Sequence, residues 1–303
     1  MIKKMFFSFV MVTILVGVII FNSKISTYLM NLFDNQNKVV IISDNEYKRF
    51  YNYHYVKDVK EYTPYSYNEL INIIYSVLNN GWDEFTFYCP IEYVRCLEDI
   101  KLITQDNSIL THINNYVHPF NNFSNIKTTI DPSGQINIHV NKLYSKTQIS
   151  EITFKKQELL NKLIEDDHTL EERVRIIHDY IINNTNYDMD KVHNKSKYDS
   201  NTAYGTLIQG KAICSGYADA MAIFLSEFNI PNFKVASETH VWNAVYINNN
   251  WYHLDATWDD QIDSNGNEKS IHKFFLTNSA NLKKYASDDH IFDKTIYQEF
   301  RYN

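Results

Sequence analysis

The segment Thr239–Asp260, "THVWNAVYINNNWYHLDATWDD", constrains the fold more tightly than any other part of the chain. Residues of a strand alternate between two faces, so His240, Trp242, Ala244 and Tyr246 share one side while Val241, Val245 and Ile247 point to the other, toward a core. A second run puts Trp251, His253 and Asp255 on one face with Leu254 opposite. Asn248-Asn249 between them suits a two-residue turn, because asparagine tolerates positive φ. With that turn, His240 lies opposite Thr257 and diagonal to Asp255 on the same face. The diagonal spacing is roughly 7–8 Å, a gap that an imidazole and a carboxylate can bridge. A turn one residue longer, without a bulge, would send the two side chains to opposite faces.

A third reactive side chain precedes this hairpin. In "GKAICSGYADA", Gly210–Ala220, Cys214 stands at the start of the apolar helical stretch "GYADAMAIFLSEFNI". The unpaired N–H groups and the dipole of a helix N-terminus favour a thiolate, and the same N–H groups can hold an oxyanion. A lone cysteine is more often a buried core residue. Cysteine, histidine and aspartate in this order form a nucleophile, a proton carrier and an orienting carboxylate. Cys214 attacks, His240 takes and returns the proton, and Asp255 holds the imidazole and supports its cation. Gly210 and Gly216 are expected to leave room for a substrate backbone beside the thiol, or to serve turn geometry alone.

The stretches "AYGTLIQGKAICSGYADAMAIFL", "HVWNAVYINNNWYHLDATWDD" and "KFFL" together resemble the catalytic core of the transglutaminase-like superfamily, in its bacterial secreted or membrane-anchored branch. The resemblance spans residues 170–276. It implies a papain-like α+β fold, with the nucleophile at a helix N-terminus packed against an antiparallel sheet, and a triad of Cys214, His240 and Asp255. Tyr204 and Trp242 match positions that are often aromatic near such sites, where they shape the acyl pocket or pack the core.

The rest of the chain divides into three expected parts. Residues 1–36 begin with Lys3 and Lys4 ahead of "MFFSFVMVTILVGVIIF", Met5–Phe21, 17 residues without a charge. That length lies at the border between a signal peptide and a membrane anchor, and the preceding lysines place the remainder of the chain outside. Residues 37–150 read as a small α+β region. It holds a short strand at Lys38–Ser43, a helix at Ser66–Leu78 closed by Gly81, a strand at "EFTFYCP" and one or two helices over Val94–Ile113. A hairpin in "IKTTIDPSGQINIHV" follows, turning at Asp131–Gly134. Residues 151–303 form the catalytic part. Thr169 and Glu172 set a capping box for a helix with an apolar stripe of Leu170, Val174, Ile177 and Ile181, and 184–202 reads as a polar loop.

A net charge of −7 argues against nucleic-acid partners, which call for a basic face. The three cysteines are too few for a disulfide framework; Cys89 and Cys96 could pair, leaving Cys214 over. The segment "DDQIDSNGNEKSIH" lacks the first and last carboxylates of a calcium loop and reads as a surface turn. His178, His193, His253 and His290 show no metal-ligand spacing, so neither metal nor cofactor is expected. The expected partners are a protein or peptide substrate, with cell-wall peptide in the accessible pool, and the membrane through the N-terminal segment. The triad would serve water and amine acceptors alike, giving a peptidase, an amidase or a transglutaminase. The rival reading is a non-catalytic surface module that keeps the same fold.

Overall fold

The computed structural model describes residues 45–131, 134–262, 268–270, 272–285 and 288–300. The apolar run Met5–Phe21, the strand expected at Lys38–Ser43 and most of the segment weighed as a calcium loop lie outside these residues. Among the described residues no helix is long and apolar enough to cross a membrane.

The first half of the chain builds a three-stranded sheet backed by helices. Helix α1 (Tyr67–Asn79) starts where the Ser66 hydroxyl accepts the Glu69 N–H, and it buries Leu70, Ile73, Ile74 and Val77. It ends at Asn80, and Gly81 then turns the chain at φ +68°, a value that suits a residue without a side chain. Strand β1 (Glu84–Tyr88) leads to two helices, α2 (Cys96–Gln105) and α3 (Asn107–Asn114). The break falls at Asp106 because its carboxylate caps α3, accepting the N–H groups of Ser108 and Ile109. A disulfide joins Cys89, just beyond β1, to Cys96 at the start of α2, with the Cα atoms 5.7 Å apart. Strands β2 (Phe123–Ile130) and β3 (Gln135–Lys142) form the expected hairpin, closed by Gly134 N–H to the Asp131 carbonyl, and β1 pairs with the free edge of β3.

Helix α4 (Lys146–Leu163) then crosses to the second half, held at its start by a Ser145–Gln148 capping box. Helix α5 (Leu170–Asn184) carries the expected Thr169–Glu172 box and buries Val174, Ile177 and Ile181, whereas Leu170 is exposed. Residues 184–202 are more ordered than a polar loop. Strand β4 (Asn186–Tyr187) pairs in parallel with β5 (Lys211–Ala212), and a single-turn helix α6 (Met189–Val192) follows β4. The buried Asp188 gathers this segment by accepting hydrogen bonds from the Ser196 and Ser200 hydroxyls and the Lys191 N–H.

Helix α7 (Cys214–Glu227) is the centre of the molecule, with Gly216 to Leu225 buried without interruption. Such a helix is apolar all round because it is covered all round. One side packs on α5 and another on the antiparallel sheet of β6 (Asn232–Ala236), β7 (Val241–Ile247) and β8 (Asn250–Leu254), in the order β6-β7-β8. The sequence assigned one core face to this sheet, but both faces are buried. Val245 and Leu254 meet the α4, α5 and α7 cluster, while Phe233, Val235, Trp242, Ala244 and Trp251 join the core of the first half. Each large side chain so buried contributes roughly 1.5–3 kcal/mol, which is how the β7–β8 hairpin is held between two cores.

Candidate active site

The hairpin has the register expected of it. Ala244 pairs with His253 and Ile247 with Asn250, and the turn residues Asn248 and Asn249 have φ of 50° and 63°. The ladder ends at Asn243–Leu254, however, because Asp255 leaves β8 to cap the short helix α8 (Ala256–Asp259). Asp255 Oδ1 accepts the N–H groups of Thr257 and Trp258 at 3.0 and 3.2 Å. Its other oxygen, Oδ2, faces back across the sheet and lies 2.6 Å from His240 Nε2.

The Cys214 sulfur also lies close enough to His240 to act on its ring. Since Nε2 belongs to Asp255, Nδ1 is the ring nitrogen left for the thiol. Burial disfavours the imidazolium, but the Asp255 carboxylate and the Cys214 sulfur outweigh it and raise the His240 pKa to about 10. Burial would likewise raise Asp255, yet His240 and His290 hold its carboxyl well below the usual carboxylate range. Cys214 is a free, half-buried thiol at the first position of α7. Ile213 stands in the cap position with extended backbone and no capping side chain. The N–H groups of Gly216 and Tyr217 bond back to the Ile213 carbonyl, so those of Cys214 and Ser215 are the ones placed for an incoming oxyanion.

The structure therefore brings Cys214, His240 and Asp255 together, and it adds a residue with no mark in the sequence. His290, on a 3₁₀ turn (Asp288–His290), places Nε2 2.8 Å from the same Asp255 Oδ2 that His240 uses. Its buried ring stacks on Phe274 at 9° and lies against Trp242 and Trp258, while its Nδ1 has no partner among the described residues. No periodicity or motif connects residue 290 to residue 255. Tyr187 is a second addition, close enough for Cys214, Asp255 and Asp289 to act on its hydroxyl after burial, all of them raising its pKa.

Other expectations resolve differently. Trp242 lies beside the site, its ring parallel to His240 within 17° and its indole N–H donated to His253 Nδ1 at 3.0 Å. That bond leaves the proton on His253 Nε2, which donates to Ser279 Oγ, and burial pushes the His253 pKa down to about 3, so this histidine stays neutral. Tyr204 instead donates its hydroxyl to Glu151 on α4. Gly216 makes no room for a substrate: an added Cβ would lie 2.5 Å from the Ser200 carbonyl oxygen, so the glycine admits neighbouring backbone. Gly210 serves a turn, with φ +67° after the short π-helix Gly205–Gln209. A cavity of about 540 Å³ lined by Arg49, His118, Lys156 and Glu227 sits at the opposite end of α7 from the thiol.

Histidines without ligand spacing in the sequence are clustered by the fold. Donor atoms within 4.8 Å of one another occur in His240–Asp255–His290, in His178–Asp179–His272 and in Glu165–Asp167–His168. The first set joins His240 and Asp255 to His290, its shared carboxylate oxygen already accepting from both rings.

Residues 157–256 match the family model of the transglutaminase-like superfamily, a span that contains Cys214, His240 and Asp255. No curated protein matches the chain. Solved structures similar to it include a TGase, at 14% identity and a TM-score of 0.35, covering 55% of this chain and 50% of that one. A candidate cysteine protease from Cytophaga hutchinsonii aligns at 14% identity and a TM-score of 0.28, covering 44% of this chain and 61% of its own. A candidate protease from Parabacteroides distasonis aligns at 13% and 0.28, covering 49% and 40%. The chain thus spans between 40% and 61% of the length of these structures.

Proposed function

We propose that the transglutaminase-like core at residues 157–256 is a working thiol acyl-transfer enzyme acting on peptide or glutamine-type amides. The observation that carries this reading is His240 Nε2 bonded to Asp255 at 2.6 Å, with the Cys214 sulfur close enough to act on the same ring. Thiolate sulfur attacks the amide carbonyl carbon, a C–S bond forms, and the carbonyl electron pair moves onto oxygen beside the Cys214 and Ser215 N–H groups. Collapse of this adduct breaks the C–N bond, and the leaving nitrogen takes its proton from His240 Nδ1. Water or an amine then attacks the thioester, giving its proton to His240 and releasing the thiol. Asp255 keeps the imidazole oriented through both halves of the cycle.

The site of action in this reading is the outer face of a membrane or the exterior of the cell. The uncharged run Met5–Phe21 behind two lysines and the Cys89–Cys96 bridge both support it, since disulfides persist in oxidising compartments. A peptide pool containing glutamine and lysine, incubated with the protein and read by mass spectrometry, tests the activity. Cleaved or deamidated products identify water as the acceptor, and isopeptide-linked products identify an amine. Cys214→Ala is expected to abolish either product and thiol-probe labelling together. No product from the unaltered chain, with Cys214 inert to the thiol probe, would favour the surface module, and product unchanged in Cys214→Ala would remove Cys214 as the nucleophile.

A further inference from the structure

Where α8 packs on α5, the fold gathers four side chains that the proposed reaction does not use. His178 and Asp179 come from α5, Asp259 from the last position of α8, and His272 from the segment entering "KFFL". His178 and Asp259 have no solvent exposure, whereas the side chains of Asp179 and His272 are about one third open, at 36% and 35%. His178 Nδ1 lies 3.1 Å from Asp179 Oδ1, and His272 Nε2 lies 2.6 Å from that same oxygen. The remaining ring nitrogen, His178 Nε2, faces Asp259 Oδ2 at 3.2 Å, and neither atom has a well-directed hydrogen bond.

We infer that His178 Nδ1, Asp179 Oδ1 and His272 Nε2 form a binding site for a divalent transition cation of the zinc type. Three donors of this kind with an open fourth position suit Zn²⁺ or Co²⁺, whose bonds to nitrogen and oxygen are about 2.0–2.2 Å. A tetrahedron with such bonds has donor–donor edges of about 3.3 Å. The two separations to Asp179 Oδ1, 3.1 and 2.6 Å, fall short of that value, and the side chain with further to move from that oxygen, His272, is one of the two that face solvent. Two imidazoles with a carboxylate select against Ca²⁺ and Mg²⁺, which prefer oxygen donors. Charge closes as well: two carboxylates, Asp179 and Asp259, balance the two positive charges of a cation held by two imidazoles, which ligate in their neutral form.

Asp259 distinguishes this site from an ordinary surface ion pair. A ligating histidine commonly gives its second ring nitrogen to a carboxylate, which sets the tautomer and the ring orientation. Asp259 stands in that place, buried with Oδ2 at 3.2 Å from His178 Nε2, while its other oxygen accepts the Phe274 N–H at 2.9 Å. Its own N–H donates to the Asp255 carbonyl at 3.2 Å. The cation would thereby brace the short helix whose cap is the orienting carboxylate of the triad.

The test uses the full chain carrying Cys214→Ala, so that the thiol cannot supply a competing ligand, stripped of metal with a chelator. Calorimetric titration with ZnCl₂ is expected to show one equivalent bound, and CoCl₂ is expected to give the visible d–d absorption of a four-coordinate nitrogen and oxygen site. His272→Gln alters only a partly exposed residue and is expected to weaken binding on the order of 100-fold, while Asp259→Asn weakens it about 10- to 100-fold. Circular dichroism of His272→Gln confirms that the fold is kept. Absence of stoichiometric binding, or binding unaltered in His272→Gln, overturns the site, and neither result bears on the acyl-transfer chemistry.

Discussion

Asp255 satisfies two histidines and two backbone amides with two oxygens, and for that reason a carboxylate with 1% exposure stays ionised. Its charge in turn keeps His240 protonated. The sign follows from the raised His240 value: the pair's contribution to stability is complete below the unfolded histidine value of about 6.5 and is lost as pH rises through about 10. The alkaline limb of kcat/KM is therefore expected near pH 10. Asp255→Asn removes the charge and should move that limb downward by more than one pH unit; a limb that stays in place would show that Asp255 does not set the imidazole. His290 is a positioning residue in this scheme. His290→Phe keeps the stack on Phe274 and deletes the hydrogen bond, so kcat should fall about 10- to 100-fold with KM unchanged, as expected for losing a charge-assisted bond of about 1.5–3 kcal/mol. His290→Gln should recover part of the loss, which a purely space-filling role would not allow. His240 and Asp255 were legible in the sequence because a two-residue turn and strand parity fix their relation. His290 was not, because an irregular 3₁₀ turn brings it 35 residues beyond Asp255 by packing that leaves no local pattern.

The elements that could be read in advance are those whose ends carry side-chain caps. Thr169 accepts the Glu172 N–H while Glu172 accepts the Thr169 N–H, and this reciprocal pair starts α5 at the residue the sequence indicated. Thr169→Ala should cost about 1 kcal/mol and lower Tm by roughly 2–4 °C, with activity at 25 °C retained. A loss of activity without a change in Tm would instead tie this helix start to the site. Helix α4 was harder to foresee because only Ile152 and Leu159 of its 18 residues are buried, too sparse a stripe to give a clear period. The hairpin was legible for register but not for burial. Alternation of apolar and polar residues marks one core face, and Trp242 and Ala244 on the second face gave no sign that another core covers them. Asp255 was read as a strand residue; it caps α8 because its side chain can accept two N–H groups that the ladder would leave unused.

Across the whole molecule, the two halves meet at a polar group buried in α7. Asp219, on the helix that begins at Cys214, accepts Lys234 Nζ from β6 at 2.6 Å, the Tyr144 hydroxyl at 2.7 Å and the Asn122 amide at 3.2 Å. Asn122 and Tyr144 flank the β2–β3 hairpin of the first half, so one carboxylate ties both halves to the central helix. Taking two charges out of water is unfavourable unless they remain paired, and deleting one partner leaves the other uncompensated. Lys234→Met should therefore destabilise the protein by about 3–5 kcal/mol in urea unfolding. The double variant Asp219→Asn with Lys234→Met has no stranded charge and should be more stable than Lys234→Met alone. A double variant less stable than Lys234→Met would locate the tie in the Tyr144 and Asn122 hydrogen bonds to an ionised Asp219 rather than in the ion pair. In either case the start of α7, and with it the position of Cys214 against His240, depends on contacts formed more than a turn away along the same helix.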